Sequence, residues 1–453
     1  MTKRALVVAL ICLGGCSGGG SQARDAGADG GSPDTSPGDG GGACPTGGTG
    51  QLTVAATGVD ASAMLRLSIK GGTTTSMTLT AGTAVTLPSG PGYTIVTPRV
   101  KVAPAAGSIV GKAYYVSGNT FDGCIKSGGS VTATLTYMQE PGSGRLYVTV
   151  ANAETLGNEI AAFDGTAIAA TATKEPALWK TMNFTSRGTN QAFDAAGNLW
   201  VAGGDRVNMY AMLTLATAGG APPEVTLMQP DGTSANGVAF DASGDLWVAR
   251  GMPGADSSLV RYGAADLTAS GSPTPGVVLT GANLVNPTGL AFDSAGMLWV
   301  ASQGNDRVLG FSTAHLGATS AADPEVMLTA QTLLPVQNAY TEPSGLAFDQ
   351  MNNLWVSFAS QIVKIPASDR ATTHMIDAPV AFNVGTQTLA FDESGGLWVT
   401  GAGPGKFQRI PAAALGGATG DVTADIVITS TELGDPERLV LDPGPTWSQL
   451  RER

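Results

Sequence analysis

The chain has 453 residues, of which 24 are Lys or Arg and 36 are Asp or Glu, so its formal net charge is −12. This length exceeds that of one ordinary domain. The acidic balance argues against nucleic acid and anionic lipid surfaces as partners, and because only 13% of the residues are charged we expect a surface rich in Ser, Thr, Asn and Gly.

The first fifteen residues have the pattern of an export signal. Lys3 and Arg4 precede an apolar run, residues 5–13, that is too short to span a bilayer. The tetrapeptide Leu13-Gly14-Gly15-Cys16 follows, and it resembles the lipobox of bacterial lipoproteins. The resemblance implies a signal peptide over 1–15, acylation of Cys16 and lipid anchoring to the cell envelope, with Ser17 favouring the outer membrane. The alternative is a cleaved secretory signal followed by a chance cysteine.

Residues 16–49 are predicted to be a flexible tether, because they are almost wholly Gly, Ser, Asp, Ala and Pro and offer nothing large to bury. Loss of Lys3 and Arg4 with the signal leaves a mature net charge of 22 − 36 = −14. Export implies an oxidising compartment. Since Cys12 leaves with the signal and Cys16 is acylated, Cys44 and Cys124 are predicted to form a disulfide.

Residues 50–140 are predicted to form a small β-sandwich. Seven short runs are separated by Gly, Pro and Ser, and no amphipathic helix of useful length interrupts them. The runs are Gln51–Ala56, Ala63–Lys70, Ser76–Thr80, Ala84–Leu87, Tyr93–Val102, Gly111–Val116 and Val131–Met138. The segment LPSGPGYTIV resembles the Ig-like or transthyretin-like modules of bacterial surface proteins, which implies a structural spacer.

From residue 145 to 445 the sequence repeats itself. The phenylalanine of an AFD motif recurs at steps of 47, 52, 56 and 43 residues, at Phe193, Phe240, Phe292, Phe348 and Phe391. A turn, generally of the form Asp-x-x-Gly, and a Leu-Trp-Val run follow each motif, and two further strand-length runs complete the repeat. In the repeat of Phe348 the last of these runs, the predicted fourth strand, is THMIDA, which contains His374. Four antiparallel strands in a period near 50 residues are typical of one β-propeller blade.

The two ends of this region predict the number of blades. Residues from Arg145 supply a second, third and fourth strand with no AFD strand before them, and residues from Glu437 supply an orphan first strand. Five full repeats and one split repeat therefore predict an all-β fold, in which a six-bladed β-propeller over 145–445 is closed by its carboxy-terminal strand. Residues 446–453 remain as a tail.

The repeats resemble NHL-repeat propellers and their relatives, the streptogramin B lyase-like and gluconolactonase-like families. The segment from Pro287 to Val308, PTGLAFDSAGMLWVASQGNDRV, carries the resemblance most clearly. It implies a propeller whose first strands begin at the mouth of a central channel. It leaves the activity open, because this fold carries many functions.

Eight polar residues are predicted to lie near this channel mouth, where a ligand is expected. They are Asn190, Asn236, Thr288, Ser344, Gln387, Glu437, Arg438 and Arg250.

Two functions fit such a rim. The favoured one is a non-catalytic, monomeric cell-surface lipoprotein whose propeller top face binds a protein or glycan, without nucleic acid and without a cofactor. The alternative is a metal-dependent hydrolase or lactonase of the gluconolactonase-like type, with a divalent cation such as Ca²⁺ held in the channel by Glu437 and Asn236. Lyase relatives imply histidine acid–base chemistry, but His315 and His374 fall outside the predicted channel positions.

The recurring Trp and Asp residues are predicted to be structural. One Trp at a fixed phase of every full repeat is typical of packing between blades, and the Asp side chain is suited to cap the turn that follows it. The residues are Trp200, Trp247, Trp299, Trp355 and Trp398, and Asp194, Asp241, Asp293, Asp349, Asp392 and Asp442.

Overall fold

The structure, a computed structural model, describes residues 44–59, 66–71, 74–97, 99–151, 158–182, 190–220, 222–229, 233–251, 257–321, 323–329, 342–358, 360–375, 380–386, 388–401, 403–417 and 419–445. The predicted signal peptide, Cys16, most of the tether, Gln387 and the tail lie outside these ranges. Among the described residues no helix is long and apolar enough to cross a membrane. The helical turns are Met212–Leu215 and Ala412–Leu415 (α) and Ala264–Leu267, Gln303–Asn305, His315–Gly317 and Ala367–Arg370 (3₁₀).

The amino-terminal part forms two sheets around one core. Its strands are β1 (Thr49–Thr57), β2 (Arg66–Gly71), β3 (Thr74–Thr80), β4 (Ala84–Pro88), β5 (Thr94–Val96), β6 (Val100–Val102), β7 (Lys112–Asn119) and β8 (Ser130–Gln139). One sheet is ordered β4–β1–β8–β7–β6 and the other β3–β2–β5. Leu52, Leu67 and Leu135 are fully buried in their shared core.

The predicted single strand Tyr93–Val102 is wrong in one respect, because it is two strands, β5 and β6, which belong to different sheets. Pro98 stands between them in the sequence, and proline has no N–H to donate to a ladder. The predicted disulfide joins Cys44 to Cys124.

The rest of the described chain forms six sheets of four principal strands each. From the inner to the outer strand, sheet 1 contains β35 (Asp435–Asp442), β9 (Arg145–Ala151), β10 (Asn158–Asp164) and β12 (Leu178–Met182), and sheet 2 contains β13 (Asn190–Phe193), β14 (Leu199–Gly203), β15 (Arg206–Tyr210) and β16 (Val225–Met228). In the same order, sheet 3 contains β17 (Ala235–Phe240), β18 (Leu246–Arg250), β19 (Ser258–Tyr262) and β20 (Val277–Thr280), and sheet 4 contains β21 (Pro287–Phe292), β22 (Leu298–Ser302), β23 (Arg307–Phe311) and β25 (Val326–Thr329). Sheet 5 contains β26 (Leu346–Phe348), β27 (Leu354–Ser357), β28 (Ile362–Ile365) and β30 (Val380–Phe382), and sheet 6 contains β31 (Leu389–Phe391), β32 (Leu397–Val399), β33 (Lys406–Ile410) and β34 (Ile426–Thr429). Short parallel strands extend the outer edges of sheets 3, 4 and 6, namely β24 (Ser320–Ala321), β29 (His374–Met375) and β11 (Ala172–Thr173). Because the inner strands of all six sheets line one cavity, the fold is of the β-propeller type.

The repeated Asp residues build the turn between the first and second strands of a sheet. Asp293 Oδ1 accepts bonds from the N–H groups of Ala295 and Met297, at 2.9 and 3.0 Å. Asp293 Oδ2 accepts a bond from the indole N–H of Trp299 at 3.1 Å. The same set of bonds recurs at Asp194, Asp241, Asp349 and Asp392. The predicted turn caps are therefore confirmed at these five positions, and each aspartate also orients the tryptophan of its own sheet.

The repeated Trp residues pack between sheets, as predicted. All five are at most 1% exposed. Trp200 meets Phe240 edge-on with ring centroids 6.0 Å apart, and Trp247 meets Phe292 at 6.5 Å. The phenylalanine of one sheet thus rests against the tryptophan of the sheet before it.

The fourth strand of sheet 5 corrects the prediction. The sequence places it at the run containing His374, whereas the structure has it at Val380–Phe382. His374–Met375 instead pairs in parallel with the outer strand of sheet 4. Phe382 is fully buried and stacks on Trp355 with ring centroids 5.8 Å apart, so the larger apolar side chain explains which run completes the sheet.

The carboxy-terminal strand β35 pairs antiparallel with β9, from Asp435 opposite Ala151 to Asp442 opposite Arg145. The amino-terminal sheets dock at the end of this strand. There the Arg99 guanidinium lies 2.6 Å from the Glu140 carboxylate and 2.5 Å from the Asp442 carboxylate, and all three side chains are at most 3% exposed. The sixth of the repeated aspartates, Asp442, thus joins the propeller to the amino-terminal sheets.

Candidate functional site

A cavity of about 260 Å³ lies along the inner strands of the six sheets. Each sheet contributes to its lining, through residues 190–193, 238–240, 290–292, 346–348, 388–391 and 438–441. Most of these residues are Phe, Leu, Val or Ala. Apolar walls with a few polar groups are typical of a small-molecule site.

The inner strands begin side by side at one end of this cavity. Asn236 Nδ2 donates to the Pro287 carbonyl at 3.2 Å, which joins sheet 3 to sheet 4. Thr288 Oγ1 donates to the Ser344 carbonyl at 3.3 Å, which joins sheet 4 to sheet 5. Two of the residues predicted at the channel mouth therefore hold neighbouring strands together, and neither is part of the cavity lining.

Bulges in the inner strands move the cavity-facing position by one residue. The strand register shifts between Ala235 and Gly237 in sheet 3 and between Pro436 and Arg438 in sheet 1. A bulge of one residue exchanges the faces on which the following side chains lie. The position equivalent to Gly237 and Arg438 carries Asn190, Gly289, Gly345 and Thr388 in the other four sheets.

Four members of this set line the cavity, namely Asn190, Gly345, Thr388 and Arg438. In sheets 3 and 4 glycine is required at this position because the next inner strand comes very close. A Cβ atom on Gly289 would lie 2.2 Å from the Ser344 carbonyl oxygen.

Arg438 is the charged member of the set. It is 9% exposed, it lines the cavity, and its Nε and Nη1 atoms have no hydrogen-bond partner among the described residues. Burial lowers the pKa of Arg438 to about 10, an effect that the charge of Glu437 partly offsets. A guanidinium has five N–H donors and no acceptor, so a buried one without partners strongly favours a bound anion.

Sheets 1 and 2 carry two further polar side chains with unused hydrogen-bonding capacity. Gln191 lines the cavity and donates through Nε2 to the Tyr147 carbonyl at 3.3 Å, while its Oε1 has no donor among the described residues. Opposite Arg438 in the ladder, the Thr149 hydroxyl is also buried without a described partner. These groups leave further hydrogen-bonding capacity in sheets 1 and 2.

The remaining charged groups of the lining are Lys101 and Asp349. Lys101 is on β6, two residues from Arg99. Asp349 follows the inner strand of sheet 5, and its carboxylate accepts bonds from Met351 N–H, Asn353 N–H, the Asn353 side-chain amide and the Trp355 indole N–H. The lining therefore contains two cations and one carboxylate whose oxygens are already engaged.

Three further predicted residues lie outside the cavity lining. Arg250 donates from Nε to Gln229 Oε1 at 2.6 Å and from Nη2 to the Tyr262 hydroxyl. Ser344 Oγ lies 3.0 Å from Ser357 Oγ. Glu437 is half-buried, and its carbonyl accepts a bond from the Thr400 hydroxyl. Gln387 and Cys16 lie outside the described residues.

In the part of the chain that the structure describes, no three His, Cys, Asp or Glu side chains are grouped so that they could hold a metal ion. Asn236 directs its amide nitrogen at carbonyl oxygens, including that of Gly251 at 2.8 Å. His315 Nδ1 lies 2.7 Å from Glu325 Oε1. Neither His315 nor His374 belongs to the cavity lining.

No protein-family model and no curated protein matches this chain. Among solved structures, a protein of unknown function from Bacteroides caccae is similar at 12% identity and a TM-score of 0.43, over 64% of this chain and 99% of its own. A streptogramin B lyase is similar at 15% identity and a TM-score of 0.37, over 66% and 87% of the two chains. A putative gluconolactonase is similar at 14% identity and a TM-score of 0.36, over 60% and 87%. Likeness at this level carries no information about what this chain does.

Proposed function

We propose that sheets 1 to 6 are the six blades of a single ring, and that β35 closes it. Contacts between sheets 6 and 1 at both edges support this. At the inner edge, Thr388 Oγ1 donates to the Leu439 carbonyl and accepts from the Leu439 N–H, each at 3.4 Å. At the outer edge, the Glu175 carboxylate accepts bonds from the Ser430 hydroxyl and the Thr431 N–H, which lower the pKa of Glu175 to about 2.

We further propose that the protein is a non-catalytic binding protein of the cell envelope, exported by its first fifteen residues and anchored through Cys16, and that it binds a small molecule inside the propeller. The observation that carries this proposal is the cavity. Six inner strands converge on an apolar-walled space that contains a buried cation, Arg438, whose Nε and Nη1 have no partner among the described residues. Such a space is suited to enclose a ligand and orient it by one polar group.

A binding role is favoured over a catalytic one by the state of the carboxylate in the lining. Asp349 accepts bonds from four donors that hold the turn of sheet 5. Proton transfer through this carboxylate would break the turn, so Asp349 is poorly suited to be a general acid or base.

The two functions expected from the sequence have less support. Asn236 and Thr288 were expected to help bind a protein or glycan, but their side chains form hydrogen bonds between sheets. A divalent cation for a hydrolase would have to bind in a cavity that already contains Arg438, and the two positive charges repel. Both interpretations remain predictions that binding and activity measurements can test.

A pair of matched probes tests the proposed function, namely 2-naphthoate, an apolar anion, and 2-naphthalenemethanol, its neutral counterpart. We expect calorimetric titration to show one-to-one binding of at least one of them. Val440→Trp in sheet 1 and Ala291→Leu in sheet 4 reduce the space in the lining, and each is expected to weaken binding while the melting temperature is retained. Absence of binding of both probes at millimolar concentration, or equal binding by the filled variants, would contradict the proposal.

A further inference from the structure

We propose that the cavity is specific for a small organic monoanion, a carboxylate attached to an apolar body, and that Arg438 binds the carboxylate. This inference rests on the proposed function, because it names the ligand class of the same cavity. It depends on three features of the described residues, which are the asymmetry of the lining, the state of Arg438 and the chemistry of the walls.

The lining is polar on one side at the level of Arg438. Sheet 1 contributes Arg438, and the sheets on either side of it contribute Thr388 and Asn190. The three remaining sheets carry glycine at the equivalent position, Gly237, Gly289 and Gly345. A ligand head group therefore meets hydrogen-bonding side chains from three adjacent sheets and no side chain from the other three.

The guanidinium of Arg438 has no hydrogen-bonded carboxylate among the described residues. Its Nε and Nη1 atoms are buried without acceptors, and it takes part in no ion pair among the described residues. By comparison, the buried guanidinium of Arg99 is paired with two carboxylates, and that of Arg250 with Gln229 and Tyr262. Buried charges in proteins are normally paired, so Arg438 is the group at which a ligand anion gains most.

The surroundings select a single negative charge on an apolar body. A carboxylate matches the planar fork of a guanidinium with two parallel hydrogen bonds. A dianion such as phosphate would bring a second charge against walls that are mostly apolar, where it has no partner. Beyond the head group, the inner strands present aromatic and aliphatic side chains, among them Phe193, Phe292 and Phe348. These walls suit a hydrocarbon or aromatic body.

Comparison of 2-naphthoate with 2-naphthalenemethanol tests this inference in the full mature chain. Wild-type protein is expected to bind the carboxylate at least about 10-fold more tightly than the alcohol, because hydrogen bonds to charged groups are the strong ones. In Arg438→Met the dissociation constant for naphthoate should rise to that of the alcohol, while the constant for the alcohol changes less than about twofold. Arg438→Lys, which keeps the charge, should restore part of the preference.

Two control variants separate the position of the charge from its mere presence. Lys364→Met removes a cation that lies over the Trp355 ring and outside the cavity lining, and should leave both constants unchanged. Lys101→Met removes the second cation of the lining. Abolition of the preference by Lys101→Met but not by Arg438→Met would overturn the assignment.

The outcomes also distinguish this inference from the proposed function. If both probes bind equally well to the wild type, the cavity binds ligands but is not specific for anions, and the inference alone fails. If neither probe binds, the proposed function fails and the inference fails with it. The wild-type comparison needs no variant, so it is decisive even if Arg438→Met does not fold.

Discussion

Replacing Arg438 by methionine is expected to stabilise the ligand-free protein. Arg438 is a buried cation whose Nε and Nη1 have no described partners, and methionine fills a similar space without a charge. The matched perturbation is Arg250→Met, which removes an equally buried arginine from the same propeller. Arg250 donates hydrogen bonds to Gln229 and Tyr262, so its loss leaves buried polar groups unpaired. We therefore expect the two substitutions to have opposite signs.

The size of the stabilisation expected in Arg438→Met follows from the lowered pKa of Arg438. Burial lowers its pKa from the ordinary arginine value to about 10, and one pH unit corresponds to about 1.4 kcal/mol. Keeping this charge in the folded protein therefore costs about 3 kcal/mol. The cost is present in full at pH 7, and it is lost as the pH rises above about 10. Any water that enters the cavity would reduce this cost, so we expect Arg438→Met to raise the free energy of unfolding by about 1 to 3 kcal/mol.

Urea unfolding at pH 7, followed by the fluorescence of the buried tryptophans, measures this difference. Arg250→Met is expected to lower the free energy of unfolding by about 2 to 4 kcal/mol. If Arg438→Met lowers stability by a similar amount, its guanidinium has partners in the folded protein and the reasoning is refuted. Added 2-naphthoate should stabilise the wild type more than it stabilises Arg438→Met.

Three further predictions concern the framework around the cavity. Gly289→Ala should destabilise the protein by about 2 kcal/mol or more, because the new Cβ would lie 2.2 Å from a backbone oxygen. Gly276→Ala should be tolerated, because the nearest neighbour of its Cβ would be 4.0 Å away. The melting temperatures of the two variants test this. Reduction of the Cys44–Cys124 disulfide, which spans 80 residues, should cost about 2 to 4 kcal/mol, and a Cys44→Ser, Cys124→Ser variant should melt at the same temperature with and without reductant. Deletion of the chain from residue 435 onward removes the inner strand of sheet 1 and should lower the melting temperature of the whole propeller; a truncated protein that melts like the intact one would contradict a six-bladed ring.

Much of the framework can be predicted from the sequence because its chemistry is local. Asp293 caps a turn formed by the residues that directly follow it, so the motif contains both the acceptor and the donors. The pairing of Cys44 with Cys124 was predictable because the other two cysteines, Cys12 and Cys16, are assigned to the proposed signal peptide and lipid anchor. The fourth strand of sheet 5 was misassigned because two nearby runs have strand character, and only tertiary packing of Phe382 on Trp355 distinguishes them.

The cavity lining could not be predicted to the residue, since it depends on the bulges. Counting back from the motif phenylalanine placed Asn236 and Thr288 at the channel, but both lie where the strand register shifts, and neither lines the cavity. Likewise, Arg250 was expected at the channel mouth. Its sequence position does not reveal that its guanidinium is bonded to Gln229, which follows the outer strand of sheet 2. One signal was available, because at the position shared by Gly237, Gly289 and Gly345 the last repeat carries Arg438.

The central claim is that a carboxylate bound inside the propeller meets Arg438, and a crystal structure of the mature chain with 2-naphthoate tests it most directly. We predict that the carboxylate lies about 2.7 to 2.9 Å from the Arg438 guanidinium nitrogens, with the naphthalene ring against the inner strands. A carboxylate bound to Lys101, or a probe bound outside the cavity while Arg438 stays unpaired, would contradict it.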